Sequence, residues 1–346
     1  MMILMPIGLA YYCDCHNKST VIESEERVVH PLKVQNILIQ AIREFFLERD
    51  FVEITVPPVV TNPGMETHIH PFQLYSAKNQ TALSTYLHTS PEFYMKRVLS
   101  EGIEKIFTIG HSFREEPQSP IHRQQFIMLE WYRANSNYLQ IMQELEDLFH
   151  SCYNKLQLSQ LPLDSTLENR TFQRMTIQEL FKEIVDLDIL QLLETEQLRK
   201  VIQSRFPQIP SPKTGGWDDY FFLLFLNCIE PKLKEYPLLL LYEYPHHLSA
   251  LSTIKKNDPR VCERFELYVN GIEICNAFNE LTEIEEQKRR FIQDLKDKKS
   301  LYDYTLSEPE VLYQALENGI PPSGGIALGV ERLLATLTNN CFGFYD

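Results

Sequence analysis

The chain has 346 residues, 44% of them hydrophobic and 23% charged, which is enough to bury a substantial core and too apolar for a disordered chain. Lys and Arg number 33 against 47 Asp and Glu, a formal charge of -14; that balance argues against a surface built to neutralise many phosphates and suits a basic partner protein, though a local basic cleft for a nucleotide stays open. The seven cysteines are odd in number and scattered, so free thiols in a reducing, cytoplasmic compartment are the reading.

In chain order, the opening MMILMPIGLAYYC is apolar but has no Lys or Arg before it and no cleavage site after it. It reads neither as a signal peptide nor as a membrane span, and residues 1–30 read as an irregular extension. Cys13, Cys15 and His16 cluster tightly, but a metal would need a further ligand, so an incidental cluster is the stronger reading. Apolar residues at 34, 37, 38, 41, 42, 45 and 46 predict an amphipathic helix. A strand from Phe51 to Val56 follows, ended by Pro57-Pro58. Two strands are predicted between Ile106 and Arg133, with Pro117 and Pro120 barring regular structure in their connection. A helix over positions 138–152 comes next. Residues 160–235 mix short helical patterns with Pro and Gly and read as a helical insertion on one catalytic domain, 31–346. Beyond it the pattern predicts strands at 237–244 and 264–281, helices near 283–299 and 307–317, and a glycine-rich strand over 324–329 running into a helix.

Three segments carry chemistry. In His122-Arg123-Gln124-Gln125-Phe126-Ile127-Met128-Leu129-Glu130-Trp131-Tyr132, alternation along a strand sends Ile127, Leu129 and Trp131 to one face, which reads as core. Phe126, Met128, Glu130 and Tyr132 go to the other, a face able to stack a base and hold an ammonium. Arg114, near the end of the preceding strand, could clamp a phosphate; taken alone it reads as a surface partner of Glu115 or Glu116. Gly329 permits a close backbone approach, and Arg332 stands in the first turn of a helix whose N-terminal amides favour anions. Glu273 and Glu280 suit magnesium carried by a nucleotide. They are seven positions apart, so strict alternation puts them on opposite faces, and sharing one face requires a bulge between them. Asn276, Phe278 and Glu280 share a parity and could line an amino-acid pocket.

In order and spacing these segments resemble motifs 1, 2 and 3 of the class II aminoacyl-tRNA synthetases over roughly residues 32–345. The resemblance implies an α+β fold, an antiparallel sheet flanked by helices, with a homodimer interface at motif 1. Within that class, Thr89-Ser90-Pro91-Glu92-Phe93-Tyr94-Met95-Lys96-Arg97, Met128-Leu129-Glu130-Trp131-Tyr132-Arg133 and Gly324-Gly325-Ile326-Ala327-Leu328-Gly329 are similar to the elongation factor P lysine ligases. Those are truncated lysyl-tRNA synthetase paralogues that attach (R)-β-lysine to a lysine of elongation factor P. The thirty or so residues before the motif 1 helix are far fewer than the ~100 an anticodon-binding domain needs.

By resemblance, Arg114 and Arg332 are the catalytic cations. ATP is held by Arg114, Glu115, Glu116, Arg123, Phe126, Glu280, Leu281, Gly329 and Arg332, and the amino acid by Ser90, Pro91, Glu92, Glu130, Tyr132, Asn276, Glu280 and Ala327. Glu273 and Glu280 carry magnesium. Ala327 stands where lysyl-tRNA synthetases have Gly. The family's His-Asn-Pro-Glu-Phe is here His122-Arg123-Gln124-Gln125-Phe126, and its Tyr-x-Phe-Pro-Ala-Ser-Gln is Tyr242-Glu243-Tyr244-Pro245-His246-His247-Leu248. Gln125 can hydrogen-bond but cannot offset positive charge. The resemblance implies ATP- and magnesium-dependent activation of lysine or (R)-β-lysine and transfer to elongation factor P, without stable tRNA or membrane binding. An adenylate-forming enzyme with another acceptor, tRNA or a small molecule, and a non-catalytic binding module of synthetase descent are the alternatives.

Overall fold

The structure, a computed structural model, describes residues 30–117, 119, 122–210, 212 and 214–338. The Cys13, Cys15 and His16 cluster and the apolar opening lie outside the described residues. In the N-terminal half the order is α1 (Pro31–Leu47), β1 (Val52–Glu53), β2 (Val59–Val60), β3 (Gln73–Ser76), β4 (Thr81–Leu87), α2 (Glu92–Ser100), β5 (Lys105–Phe113), β6 (Gln125–Ala134) and α3 (Tyr138–Leu158). Then come β7 (Gln173–Thr176), α4 (Ile177–Val185), α5 (Thr195–Arg205), α6 (Trp217–Leu224), α7 (Glu230–Leu233) and β8 (Leu238–Tyr242). The chain closes with β9 (Arg264–Val269), β10 (Ile272–Asn279), α8 (Ile284–Tyr302), α9 (Glu310–Asn318), β11 (Ser323–Gly329) and α10 (Val330–Leu337).

Helix α1 starts where Pro31 sets φ and the His30 ring accepts a hydrogen bond from the Leu32 amide. Its buried stripe is Val34, Leu38, Ala41, Ile42, Phe45 and Phe46, the face the apolar spacing marks. Helix α3 opens on a capping box of Asn137 and Gln140.

Eight strands form one sheet in the order β1-β5-β6-β11-β10-β9-β8-β7. Pairing is antiparallel from β5 to β8 and parallel only at the edges, β1 with β5 and β7 with β8. A small sheet, β2-β4-β3, stands apart. Against one face of the large sheet pack α1, α3 and α10, through a core that includes Phe46, Leu129, Trp131, Leu267, Ala277 and Leu334. On the other face, Ile106, Tyr132 and Phe278 join α2, α8 and α9 in a second cluster, while Leu239, Leu241 and Tyr268 join the segment between α3 and β8 in a third. The site lies on this face, between the second cluster and the third.

Three elements differ from the sequence reading. The strand at 51–56 is only two residues long; the Ile54 amide still reaches the Phe107 carbonyl (2.8 Å), and Pro57 and Pro58 have no N–H to continue. The strand at 264–281 is a hairpin, broken where Asn270 and Gly271 take positive φ (50° and 83°). The 160–235 segment, read as helical, also contributes β7, the outer strand of the main sheet. Among the described residues no helix is long and apolar enough to cross a membrane.

Candidate active site

The register brings residues from distant parts of the chain into rows across the sheet. One row runs Thr108, Glu130, Ala327, Asn276, Glu266, and the next Ile106, Tyr132, Gly325, Phe278, Arg264. Neighbouring strands stand ~4.8 Å apart, so Ala327 separates Glu130 from Asn276 by its methyl alone. At Gly325 even a methyl would collide with Glu280 and Tyr132.

At the Tyr132 end the site is acidic and dry. Glu92 opens α2 and is buried with Lys96 one turn on, the i, i+4 spacing that puts both on one helix face. Lys96 Nζ lies 2.5 Å from Glu92 Oε1 and 2.6 Å from Glu280 Oε2. Burial opposes the charge on Lys96, but Glu280 and Glu92 outweigh it and raise its pKa. Glu130 accepts from the Ser90 hydroxyl (2.8 Å) and the Tyr132 hydroxyl (2.7 Å). Burial, helped by the Glu92 charge, pushes Glu130 up to about 8. Burial also raises Glu280, to about 7, and Glu92, against the pull of Lys96 in both cases. Glu280 Oε1 is shut off from solvent and has no hydrogen-bond partner. Three carboxylates against one ammonium leave this pocket short of positive charge, a deficit that a cationic ligand would relieve.

At the other end stand the arginines. The Arg114 guanidinium is 5.3 Å from the centre of the Phe126 ring, and its Nε donates to the Thr89 carbonyl (3.3 Å). Arg332 donates to the Glu273 carbonyl (3.1 Å) from the first turn of α10, which begins at Gly329 without a side-chain cap. The register of β10 against β9 shifts between Glu273 and Cys275. That is the bulge the seven-residue spacing requires, and it sets Glu273 opposite Tyr268, on the same face as Asn276. Burial and then Glu266 raise Glu273 to about 7 although Arg332, Arg264 and Arg114 pull it down. The two candidate metal carboxylates therefore face different neighbours, arginines at Glu273 and Lys96 at Glu280.

The remaining candidates spread over this frame. Pro91 caps α2. The Glu115 amide bonds the His70 carbonyl (2.7 Å), Glu116 follows in the β5–β6 connection, and burial raises Glu331 to about 7 against the pull of hydrogen bonds to the Ile127 amide and its own amide and of the nearby Arg123 and Arg332. Leu281 is buried, and its amide is engaged by the Leu251 carbonyl (2.9 Å).

The sequence reading missed several groups. Lys96 was signalled by its i, i+4 spacing from Glu92. Arg264 and Glu266 form a buried ion pair; Arg264 also bonds Asn276 Oδ1 (3.0 Å), and Tyr244 and Tyr268 both donate to Glu266. Nothing in the linear pattern pairs these residues. Glu331 accepts the Ile127 amide (2.7 Å), which has no strand neighbour on that side. In the altered 242–248 segment, His247 stacks on Trp217 at 4.2 Å.

Residues 15–341 match the family described as tRNA synthetases class II (D, K and N). The chain is 35% identical over 312 residues to elongation factor P–(R)-β-lysine ligase of Vibrio cholerae, covering 88% of this chain and 90% of that protein. To the proteins of the same name from Vibrio vulnificus and Hamiltonella defensa it is 34% and 31% identical, over 88% and 87% of this chain and 91% and 89% of theirs. The chain belongs to this ligase family. The match covers β7 and the α4–α7 segment as well as the three motifs.

Proposed function

We propose that this chain uses ATP and magnesium to activate lysine or (R)-β-lysine as its adenylate and passes it to a lysine side chain of elongation factor P. The supporting observation is the buried trio Glu92, Glu130 and Glu280 with, among the described residues, Lys96 to balance it, beside the two arginines. In this reading the diamino acid lies along the face, its ammonium groups toward the trio and its carboxylate toward Arg114. Asn276 and Ala327 form the floor, with the Ala327 methyl narrowing it, and Ser90 and Tyr132 hold Glu130 in place. Phe126 stacks on the adenine, and Arg332 and the α10 N-terminus hold the phosphates.

A carboxylate oxygen attacks the α-phosphorus, the bond to the β-phosphate oxygen breaks and pyrophosphate leaves. The carboxylate is already ionised, so positioning and charge neutralisation carry this step. Glu273, a half-buried carboxylate beside the arginines, fits a role in holding magnesium with the phosphates, whereas Glu280, bound to Lys96, stands too far along the strand to hold the same ion. Bound with the phosphates, magnesium supplies charge neutralisation there. Seven residues of strand at roughly 3.3 Å each assign Glu273 to the phosphate end and Glu280 to the amine end. In the second step the acceptor ε-amine, having lost a proton, attacks the acyl carbon and AMP leaves. A single catalytic unit over 31–346 with 160–235 as an insertion, a homodimer through the α1–β1 region and a cytoplasmic setting complete the proposal.

The test is amino-acid-dependent exchange of pyrophosphate into ATP with α-lysine, β-lysine and arginine, comparing wild type with Arg332→Ala. Exchange with a lysine isomer, lowered at least about 100-fold in the variant, is the expected result. Exchange without modification of elongation factor P would point to another acceptor, and no exchange with any amino acid would leave a binding module as the better reading.

A further inference from the structure

Glu66 lies in the connection between β2 and β3 and belongs to none of the motifs. That connection is pinned to the chain leading into α2: the Thr89 amide and hydroxyl both donate to the Pro63 carbonyl (3.1 and 2.7 Å). Asn62 Oδ1 accepts the Gly64 amide (3.1 Å). The pinning carries Glu66 to the edge of the acidic pocket. There a cavity of about 10 Å³ is lined by Glu66 and Glu92 together with Gly64, Thr89, Ser90 and Phe93. This is room for one water-sized group, and an ammonium head is that size. Glu66 Oε2 is closed to solvent and has no hydrogen-bond partner. Gly64, at φ +148°, keeps the space open, because a Cβ there would come within 2.6 Å of Thr89 Oγ1 and 2.9 Å of Glu66 Oε2.

The charged groups around Glu66 are Glu92, Asp294 and Lys298. Lys298 is engaged elsewhere, donating to the Ile69 carbonyl (2.8 Å) with the Tyr304 hydroxyl at 3.4 Å. Asp294 accepts from the Thr67 hydroxyl (3.3 Å), and Glu92 Oε1 is taken by Lys96. Glu66 Oε2 is thus the acceptor at this cavity left without a donor, and an ammonium brings three.

We infer that Glu66 is a specificity-determining residue, which with Glu92 receives the ammonium nearer the substrate carboxylate in the cavity they share. This rests on the proposed function and adds to it the residue that makes the proximal amine a requirement: a substrate without that amine leaves the Glu66 oxygen buried and unpaired.

The test compares wild type, Glu66→Gln and Glu66→Asp in pyrophosphate exchange with β-lysine and α-lysine. In parallel, 6-aminohexanoate, which keeps the carboxylate and the distal amine only, is assayed as a competitive inhibitor. Glu66→Gln is expected to raise KM for the two diamino acids about 10- to 100-fold with kcat nearly unchanged, and to leave the inhibition constant of 6-aminohexanoate where it was. Glu66→Asp falls between. Equal losses for all three ligands, or none for any, would overturn the assignment while leaving the proposed function standing. If wild type fails to exchange with every amino acid, both fall together. Should Glu66→Gln not fold, Glu66→Asp decides the matter by the same selectivity.

Discussion

Burial sets the charge of the site before any ligand arrives. Glu130 rises from 4.5 to about 8 and Glu280 and Glu273 from 4.5 to about 7, in each case chiefly by loss of water. Because the folded chain holds these protons more tightly than the unfolded chain, the stability they confer is present below pH ~4.5 and is lost as pH rises toward ~8. An ammonium ligand favours the ionised forms, so its binding releases protons and tightens with rising pH, by up to about tenfold per unit for each proton released. Calorimetric titration with α-lysine at pH 6, 7 and 8, in buffers of unequal ionisation enthalpy, measures both effects; proton uptake, or affinity that falls with pH, would contradict the charge deficit. At this scale the linear pattern named Glu130, Tyr132 and Glu280, and the family resemblance named Glu92. Lys96 stood within the same motif, but that it neutralises Glu280, from another element, follows only from packing.

The β9–β10 hairpin turns a spacing into a site. Without the shift at Glu273, strict alternation would point that carboxylate into the core beside Cys275 and Ala277. The sequence required a bulge there, yet its apolar run from 264 to 281 concealed the turn, since Asn270-Gly271 is short and both flanking strands are largely buried. Gly271 has φ +83°, and a Cβ on it would meet the Lys234 backbone nitrogen at 2.9 Å. Gly271→Ala is therefore expected to cost about 1–3 kcal/mol in a denaturant melt, with exchange activity per folded molecule preserved because the turn lies outside the site. A loss of activity with unchanged stability would mean that the hairpin moves in catalysis. The β7 strand escaped notice because four residues of an edge strand carry too short an alternation to register.

For the whole molecule, a charge of -14 opposes any polyanion, and the proposed chemistry needs positive potential only where the phosphates bind. In mobility-shift assays at ~0.15 M salt, tRNA should stay free at micromolar protein, whereas a stable complex would restore tRNA as an acceptor. The class of fold and the role of the two arginines came from resemblance to the class II motifs; the sequence by itself determined the helix faces and the parity of Glu130 and Tyr132 against Leu129 and Trp131. Each of these follows from periodicity or from a short motif whose chemistry is local. Only the tertiary structure decided which of these residues share a pocket. It set Ala327 between Glu130 and Asn276, paired Arg264 with Glu266 at the end of that row, placed Lys96 between two carboxylates and brought Glu66 against Glu92. Those relations come from strand register and loop docking over tens to hundreds of positions, and the free energy that selects them is the burial of the whole sheet, which no local pattern encodes.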